Sequence, residues 1–222
     1  STKKNMKDLY YKVNKDLAIE TAIKAKESGV SQFIFMSSMI VYSSKETMIT
    51  KDTKPNPDNF YGQSKLDAEI EIHKLNDSSF SVAVLRPPMI YGKNSKGNFP
   101  KLIRLAKKTF IFPNFKNERS MLHVDNLCEF IKLMIDFQET GIFFPQNAEY
   151  VVTSDLVKEI AKIHSKKAWF TKLLNPFIRL LFGLNVVNKL FGTLAYDMEM
   201  SKYIKGNYRI RTFEESIELT EK

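Results

Sequence analysis

The segment FYGQSKLDAEIE, Phe60 to Glu71, sets Tyr61 and Lys65 four residues apart. On a helix that spacing puts both side chains on one face, a turn apart. A phenol with a pKa near 10 is a poor base at neutral pH. An ammonium beside it favours the phenolate, and a positioned phenolate can take a proton from an alcohol. The spacing alone does not decide between this pair and a plain helix face. The chain has 9 tyrosines and is rich in lysine, so a chance Tyr-x-x-x-Lys match is expected, and Tyr11 with Lys15 supplies a second one. Other chemistries have less to stand on. His73, His123 and His164 are scattered without HxxxH or CxxC spacing, so no metal site is expected. The single cysteine, Cys128, excludes an internal disulfide and fits a reducing compartment. It falls on an apolar stripe with Leu127, Ile131, Met134 and Ile135, which predicts a buried structural thiol.

The elements that must position these groups read as an α/β chain. Residues Ser1 to Ser28 carry apolar positions near helical spacing, with Gly29 as a stop. QFIFMSS follows as a short buried parallel strand. Ser44 to Asn59 is loop, and helix resumes near Tyr61 and runs to about Asn76. FSVAVLRPP is the next buried strand, closed by Pro87 and Pro88, which cannot donate ladder hydrogen bonds. Helix and strand alternating at this spacing predict a doubly wound parallel sheet. The 8 glycines contain no GxG or GxxG spacing, which the phosphate-binding turn of such a sheet requires.

After Gly92 the expected elements are a helix over Phe99 to Lys108, strands in TFIFP and RSMLHV, and an amphipathic helix from Asp125 to Phe137. Strand ends are expected in GIFFPQN and YVVT, then a helix capped by Thr153 or Ser154 and running to His164. Thr212 with Glu215 forms a capping box that opens the last helix. Two regions are expected: residues 1–95 as part of the dinucleotide-binding domain, and 96–222 as a mixed region of small C-terminal substrate lobe and returning core elements. The apolar stretch from Trp169 to Leu194, interrupted by Lys172, Arg179 and Lys189, has two readings. The preferred one is a pair of helices packed on the core; the other is an element lying in a membrane interface.

Among 222 residues, 43% are hydrophobic, enough for one sizeable core. The net charge of +9 comes from lysines spread along the chain, without the aromatic-interleaved cluster that single-strand binding needs. Nucleic acid is therefore not an expected partner. No signal-peptide pattern opens the chain, which predicts a cytoplasmic protein, with membrane association through 169–194 as the alternative.

The surroundings of Tyr61 supply what the spacing lacks. FIFMSSMIVYS ends a strand on Ser37 and Ser38, and Tyr61 and Lys65 follow. LYYKVN stands one helix earlier, and LRPPMIYG and NERSMLHVDNL come later. This ordered set resembles the extended short-chain dehydrogenase/reductases, in their NAD-dependent epimerase/dehydratase branch that acts on nucleotide sugars. The resemblance covers nearly the whole chain and is strongest from about Leu9 to Leu127. It implies a Rossmann-like fold whose glycine-rich, NAD-binding beginning lies before Ser1, so that the chain by itself binds NAD weakly.

It also implies roles. Ser38, by the pattern S-x-x-V-Y in SMIVY, holds the reacting hydroxyl near Tyr61, while Ser37 is a strand-end hydroxyl bonded to backbone. Tyr61 takes the proton, a nicotinamide takes the hydride, and Lys65 favours the phenolate and binds the nicotinamide ribose. Asn14 and Pro88 fall beside the cofactor, NAD in the first instance and NADP as the alternative. Arg119 grips a diphosphate, for which a planar guanidinium is suited. Asn98 lies near that diphosphate and Phe112 near the uracil ring. The plain alternatives are a solvent-facing Asn14 and a surface Arg119, and His123 is read as structural. Met39 and Ile40 stand where sugar dehydratases carry an acid pair, which argues against dehydration. Met89 replaces a common substrate asparagine, which leaves the sugar open. The expected function is a UDP-hexose or UDP-N-acetylhexosamine 4-epimerase of polysaccharide biosynthesis, working as a homodimer. A net reductase or dehydrogenase, a non-catalytic dinucleotide-binding protein, and a membrane-surface enzyme for lipid-linked sugars are the competing readings.

Overall fold

The computed structural model describes residues 6–96 and 99–222. A helix over residues 7–27 (α1) leads into the strand Gln32–Met36 (β1), the helix Phe60–His73 (α2) and the strand Ser81–Leu85 (β2). The strand Met89–Tyr91 (β3), the helix Phe99–Lys108 (α3), the strands Ile111–Pro113 (β4) and Met121–His123 (β5), and the helix Val124–Asp136 (α4) come next. The strand Gly141–Phe143 (β6), the helix Thr153–Ile163 (α5) and the strand Trp169–Thr171 (β7) follow. The chain closes with the helices Asn175–Leu180 (α6), Asn185–Phe191 (α7) and Phe213–Glu221 (α8). The chain divides into two compact units that are not sequential. One holds residues up to Pro88, Cys128–Pro145 and Tyr196–Tyr208; the other holds Met89–Leu127, Gln146–Ala195 and Arg209–Lys222.

The first unit is built on a parallel sheet of order β1–β2–β6, with Gln32 facing Ser81, Met36 facing Leu85, and Leu85 facing Phe143. The central strand SVAVL is apolar on both faces because both are covered: Val82, Ala83, Val84 and Leu85 are all buried. Val82, Val84 and Phe35 pack with Ala22 of α1 and with Ala68 and Ile72 of α2. Small alanines on the two helices let them lie close to the strands. Phe130 of α4 packs edge-on against Phe143, Tyr203 and Tyr208.

The second unit pairs β3 with β5 and β4 with β7, both parallel. Its core joins Tyr91, Phe112 and Met121 to the inner faces of α3, α5 and α8. Phe99, Leu102 and Ala106 on α3, and Leu156, Val157, Ile160 and Ala161 on α5, recur at the three- and four-residue steps of one buried helix face. The capping box of Thr212 and Glu215 opens α8, each side chain bonding the other's backbone N–H.

Four local expectations are corrected. Cys128 is exposed, because the buried face of α4 runs through Asn126, Leu127, Phe130 and Met134 and leaves the thiol about a third of a turn away. Neither Thr153 nor Ser154 caps α5: Val152 stands at the cap without a side-chain bond, and Asn117 accepts from the Thr153 N–H at 3.0 Å instead. YVVT contributes only a bridge from Val151 to Arg119. The stretch from Trp169 to Leu194 forms a short strand and two short helices that are half packed and half open. Ile178 and Phe191 are buried, while Trp169, Leu173, Phe177 and Leu180 are exposed. No helix among the described residues is long and apolar enough to cross a membrane.

Candidate active site

The carboxyl ends of β1 and β2 are where an open parallel sheet offers room for a ligand. β1 runs straight into Ser37 and Ser38, and β2 into Arg86, Pro87 and Pro88. Ser37 N–H continues the ladder to Leu85 O at 2.8 Å. Ser38 is extended and starts a single 3-10 turn over Met39–Val41, its Oγ accepting from Ile40 N–H at 3.3 Å. Met39 N–H donates to Pro87 O at 2.9 Å, which ties the serine turn to the second strand's end. Pro88 itself is buried.

Asn59 caps α2, its Oδ1 accepting from the N–H groups of Tyr61 and Gly62 at 3.1 Å each. Gly62 is glycine for a reason of space. A Cβ there would run into the Ile40 carbonyl oxygen and stand 2.8 Å from Pro57 Cβ. Its absence lets the first turn of α2, with Tyr61, sit directly on the turn that carries Ser38.

Tyr61 is half-buried, with its ring 5.6 Å from that of Tyr10. Burial pushes its phenol above the ordinary value, and Tyr10 adds to the effect. Lys65 donates to Met36 O at 2.9 Å and lies over the Phe35 ring at 4.9 Å. Burial lowers its ammonium, opposed by the Glu69 carboxylate. The expected pull of the lysine is not among the causes that set the direction of the phenol's shift, which are burial and Tyr10.

Asn14 does not face solvent. Its Nδ2 donates to Ser64 Oγ at 3.2 Å, and that hydroxyl donates to Tyr61 O at 2.9 Å. The asparagine sits in a π-helical stretch of α1, Tyr11–Asp16, a winding that occurs often at functional sites.

One turn beyond Lys65 lies a group that sequence reasoning missed. Glu69 is buried and takes Arg86 Nε at 3.0 Å and Nη2 at 2.5 Å. Arg86 also donates to Tyr42 OH at 2.8 Å. Ser37 Oγ donates to Glu69, not to backbone as expected. Two signals were present: Glu69 continues the Tyr61–Lys65 face by four residues, and Arg86 ends an apolar strand where a charge needs a partner.

In the second unit Arg119 is half-buried, and burial lowers its guanidinium below the usual value. Its Nη1 donates to Gly192 O at 3.0 Å, and no carboxylate pairs with it among the described residues. Phe112 is 2% exposed and packs against Phe170 and Phe191, so its ring belongs to the core and is not presented to a base. Asn98 lies outside the described residues. His123 is buried, and its Nδ1 accepts from Asp125 N–H at 3.3 Å. Burial lowers its pKa, so it serves as a neutral structural imidazole. No group of metal-ligating side chains occurs among the described residues.

Residues 2–144 match the model of the NAD dependent epimerase/dehydratase family. The chain is 31% identical over 227 residues to the UDP-glucose 4-epimerase of Vibrio cholerae, covering 96% of this chain and 69% of that protein. It is 26% identical over 212 residues to the N-acetyl-alpha-D-glucosaminyl-diphospho-ditrans,octacis-undecaprenol 4-epimerase of Escherichia coli O157:H7, covering 92% and 62%. The solved UDP-glucuronic acid 4-epimerase from Bacillus cereus, in complex with NAD, shares the fold with a TM-score of 0.63 at 17% identity, over 93% of this chain and 63% of that one. The parallel sheet is thus of the Rossmann kind, and by the extent of the match the chain belongs to the NAD dependent epimerase/dehydratase family.

Proposed function

We propose that the chain carries the proton-transfer machinery of an NAD-dependent 4-epimerase whose substrate is a UDP-hexose or UDP-N-acetylhexosamine. The observation that supports this reading is the seating of α2 at Gly62 on the turn that follows Ser38, with Tyr61 next to Gly62 and Lys65 one turn further along the helix. Tyr61 takes the proton of the sugar O4 and later returns it, while the Ser38 hydroxyl holds that oxygen by hydrogen bonding. NAD, held by Lys65, Asn14 and Pro88, would supply reversible hydride acceptance at C4, so that no net redox change would result.

The residues present fit that cofactor. Lys65 spends one of its three donors on Met36 O, and the Tyr61 hydroxyl has no hydrogen-bond partner among the described residues. Both therefore retain capacity for ribose hydroxyls, with Asn14 and Pro88 alongside. Arg119, part-buried and without a carboxylate among the described residues, is suited to a diphosphate. Met39 and Ile40 after Ser38 offer no acid, which supports epimerisation over dehydration. The similarity to the Escherichia coli enzyme favours a second reading, in which the sugar diphosphate is carried on a polyprenol lipid.

The protein, together with the glycine-rich dinucleotide-binding segment expected before Ser1, is incubated with NAD and UDP-N-acetylglucosamine and followed by proton NMR at the anomeric and H4 signals. The galacto epimer is expected, without lasting absorbance at 340 nm. Lasting, stoichiometric 340 nm absorbance would replace epimerisation with net dehydrogenation. Turnover only of a polyprenol-linked sugar would move the reading to the lipid-linked substrate.

A further inference from the structure

The second unit carries an apolar surface that its core does not use. Trp169, Leu173, Phe177 and Leu180 follow one another at steps of four and three residues along β7, the turn after it and α6. They are 75%, 82%, 65% and 83% exposed. Ile178, on the opposite side of α6, is buried, so α6 has one packed and one bare face. Ile111 of β4 is the register partner of Trp169, and Ile111 and its neighbour Phe110 are also exposed. Phe110, Ile111, Lys166, Lys167 and Trp169 line one open hollow.

Along the chain, the segments that carry these residues hold charge of one sign. Residues 160–196 contain no Asp or Glu, and neither do residues 99–117. Lys166, Lys167, Lys172, Arg179 and Lys189 are exposed, and none is paired with a carboxylate among the described residues. A bare apolar strip flanked by unpaired cations, with Trp at its edge, has the composition of a surface that lies in a lipid headgroup region. Two copies of such a face would bring like charges together, which disfavours self-association.

We propose that the stretch Trp169–Leu184 seats this unit on an anionic lipid bilayer. Trp169, Phe177 and Leu180 enter the boundary between headgroups and acyl chains, and the lysines meet anionic headgroups. The proposal goes beyond the epimerase reading, and none of its readouts involves turnover, so the two fail separately.

Trp169 is the only tryptophan of the chain, so its emission reports the contact directly. The protein is mixed with vesicles of phosphatidylcholine, with or without phosphatidylglycerol, for flotation and fluorescence. It floats with the anionic vesicles, more weakly in high salt, and its emission moves to the blue. Lys166→Gln with Lys167→Gln lowers partitioning roughly 30-fold, from about 1 kcal/mol per cation at a membrane surface. Phe177→Ser with Leu180→Ser abolishes flotation while circular dichroism stays unchanged. No flotation and an unshifted emission with anionic vesicles would overturn the proposal, as would flotation that both double variants leave intact. A blue shift that depends on protein concentration without lipid would overturn it too, by assigning the face to a second copy.

Discussion

At the scale of single residues, Tyr61 is held against its own chemistry. A proton acceptor is needed as phenolate, yet burial raises its pKa. On the proposed mechanism the reactive fraction below that pKa grows about tenfold per pH unit, so kcat/KM climbs from neutral into alkaline pH. Tyr61→Phe is expected to lower kcat by about 10²–10⁴-fold, and to flatten that rising limb. Steady-state rates across pH, with circular dichroism as a control for folding, check both. The strand end at Ser38 and the helix start at Tyr61 were legible because both can be read locally, whereas the roles of Ser38, Tyr61 and Lys65 came only from the resemblance of the ordered motifs. Glu69 and Arg86 each left a signal in the sequence, but their pairing with one another shows only once β1, β2 and α2 are packed together. Phe112 shows the converse, since an aromatic that core packing absorbs looks the same in sequence as one that stacks on a base.

At the scale of elements, α2 is the piece on which the site depends, and its fit is tight. Gly62→Ala places a methyl group against the Ile40 carbonyl and Pro57, so the helix start must back away from Ser38. A stability loss of about 1–3 kcal/mol is expected from such overpacking, with a fall in kcat larger than the change in KM. Urea unfolding alongside kinetics separates the two. On the other end of the same helix, Glu69→Gln leaves Arg86 buried without its counter-charge. That change is expected to cost about 3–5 kcal/mol, whereas Glu69→Leu with Arg86→Met recovers most of it. A denaturant series on the single and double variants decides whether the pair acts as a unit. Helix positions were legible to within a few residues, and the capping box at Thr212 was legible outright because it is local. The helix phase around Cys128 and the cap of α5 were not. Asn117 reaches α5 from 36 residues away, and which face of α4 is buried depends on Phe143, Tyr203 and Tyr208.

At the scale of the molecule, neither unit is a continuous piece of chain. Residues 1–88 hold Ser38, Tyr61 and Lys65, yet they lack β6 and the buried Phe130 and Met134 of α4. A fragment of residues 1–88 is therefore expected not to fold. Poor dispersion of its amide NMR signals and rapid proteolysis would show this; a dispersed spectrum would mean that α1, β1, α2 and β2 suffice. The alternation of helix and strand announced the sheet, but not that β2 would be its middle strand, because the partner on its far side arrives only with Gly141 to Phe143. That order has a price in time. At synthesis rates of about 5–20 residues per second, β2 waits roughly 3–12 s for its second neighbour to leave the ribosome. For that interval Ala83 to Leu85 form an open apolar edge, the part of the nascent chain on which a holding chaperone would be expected to act.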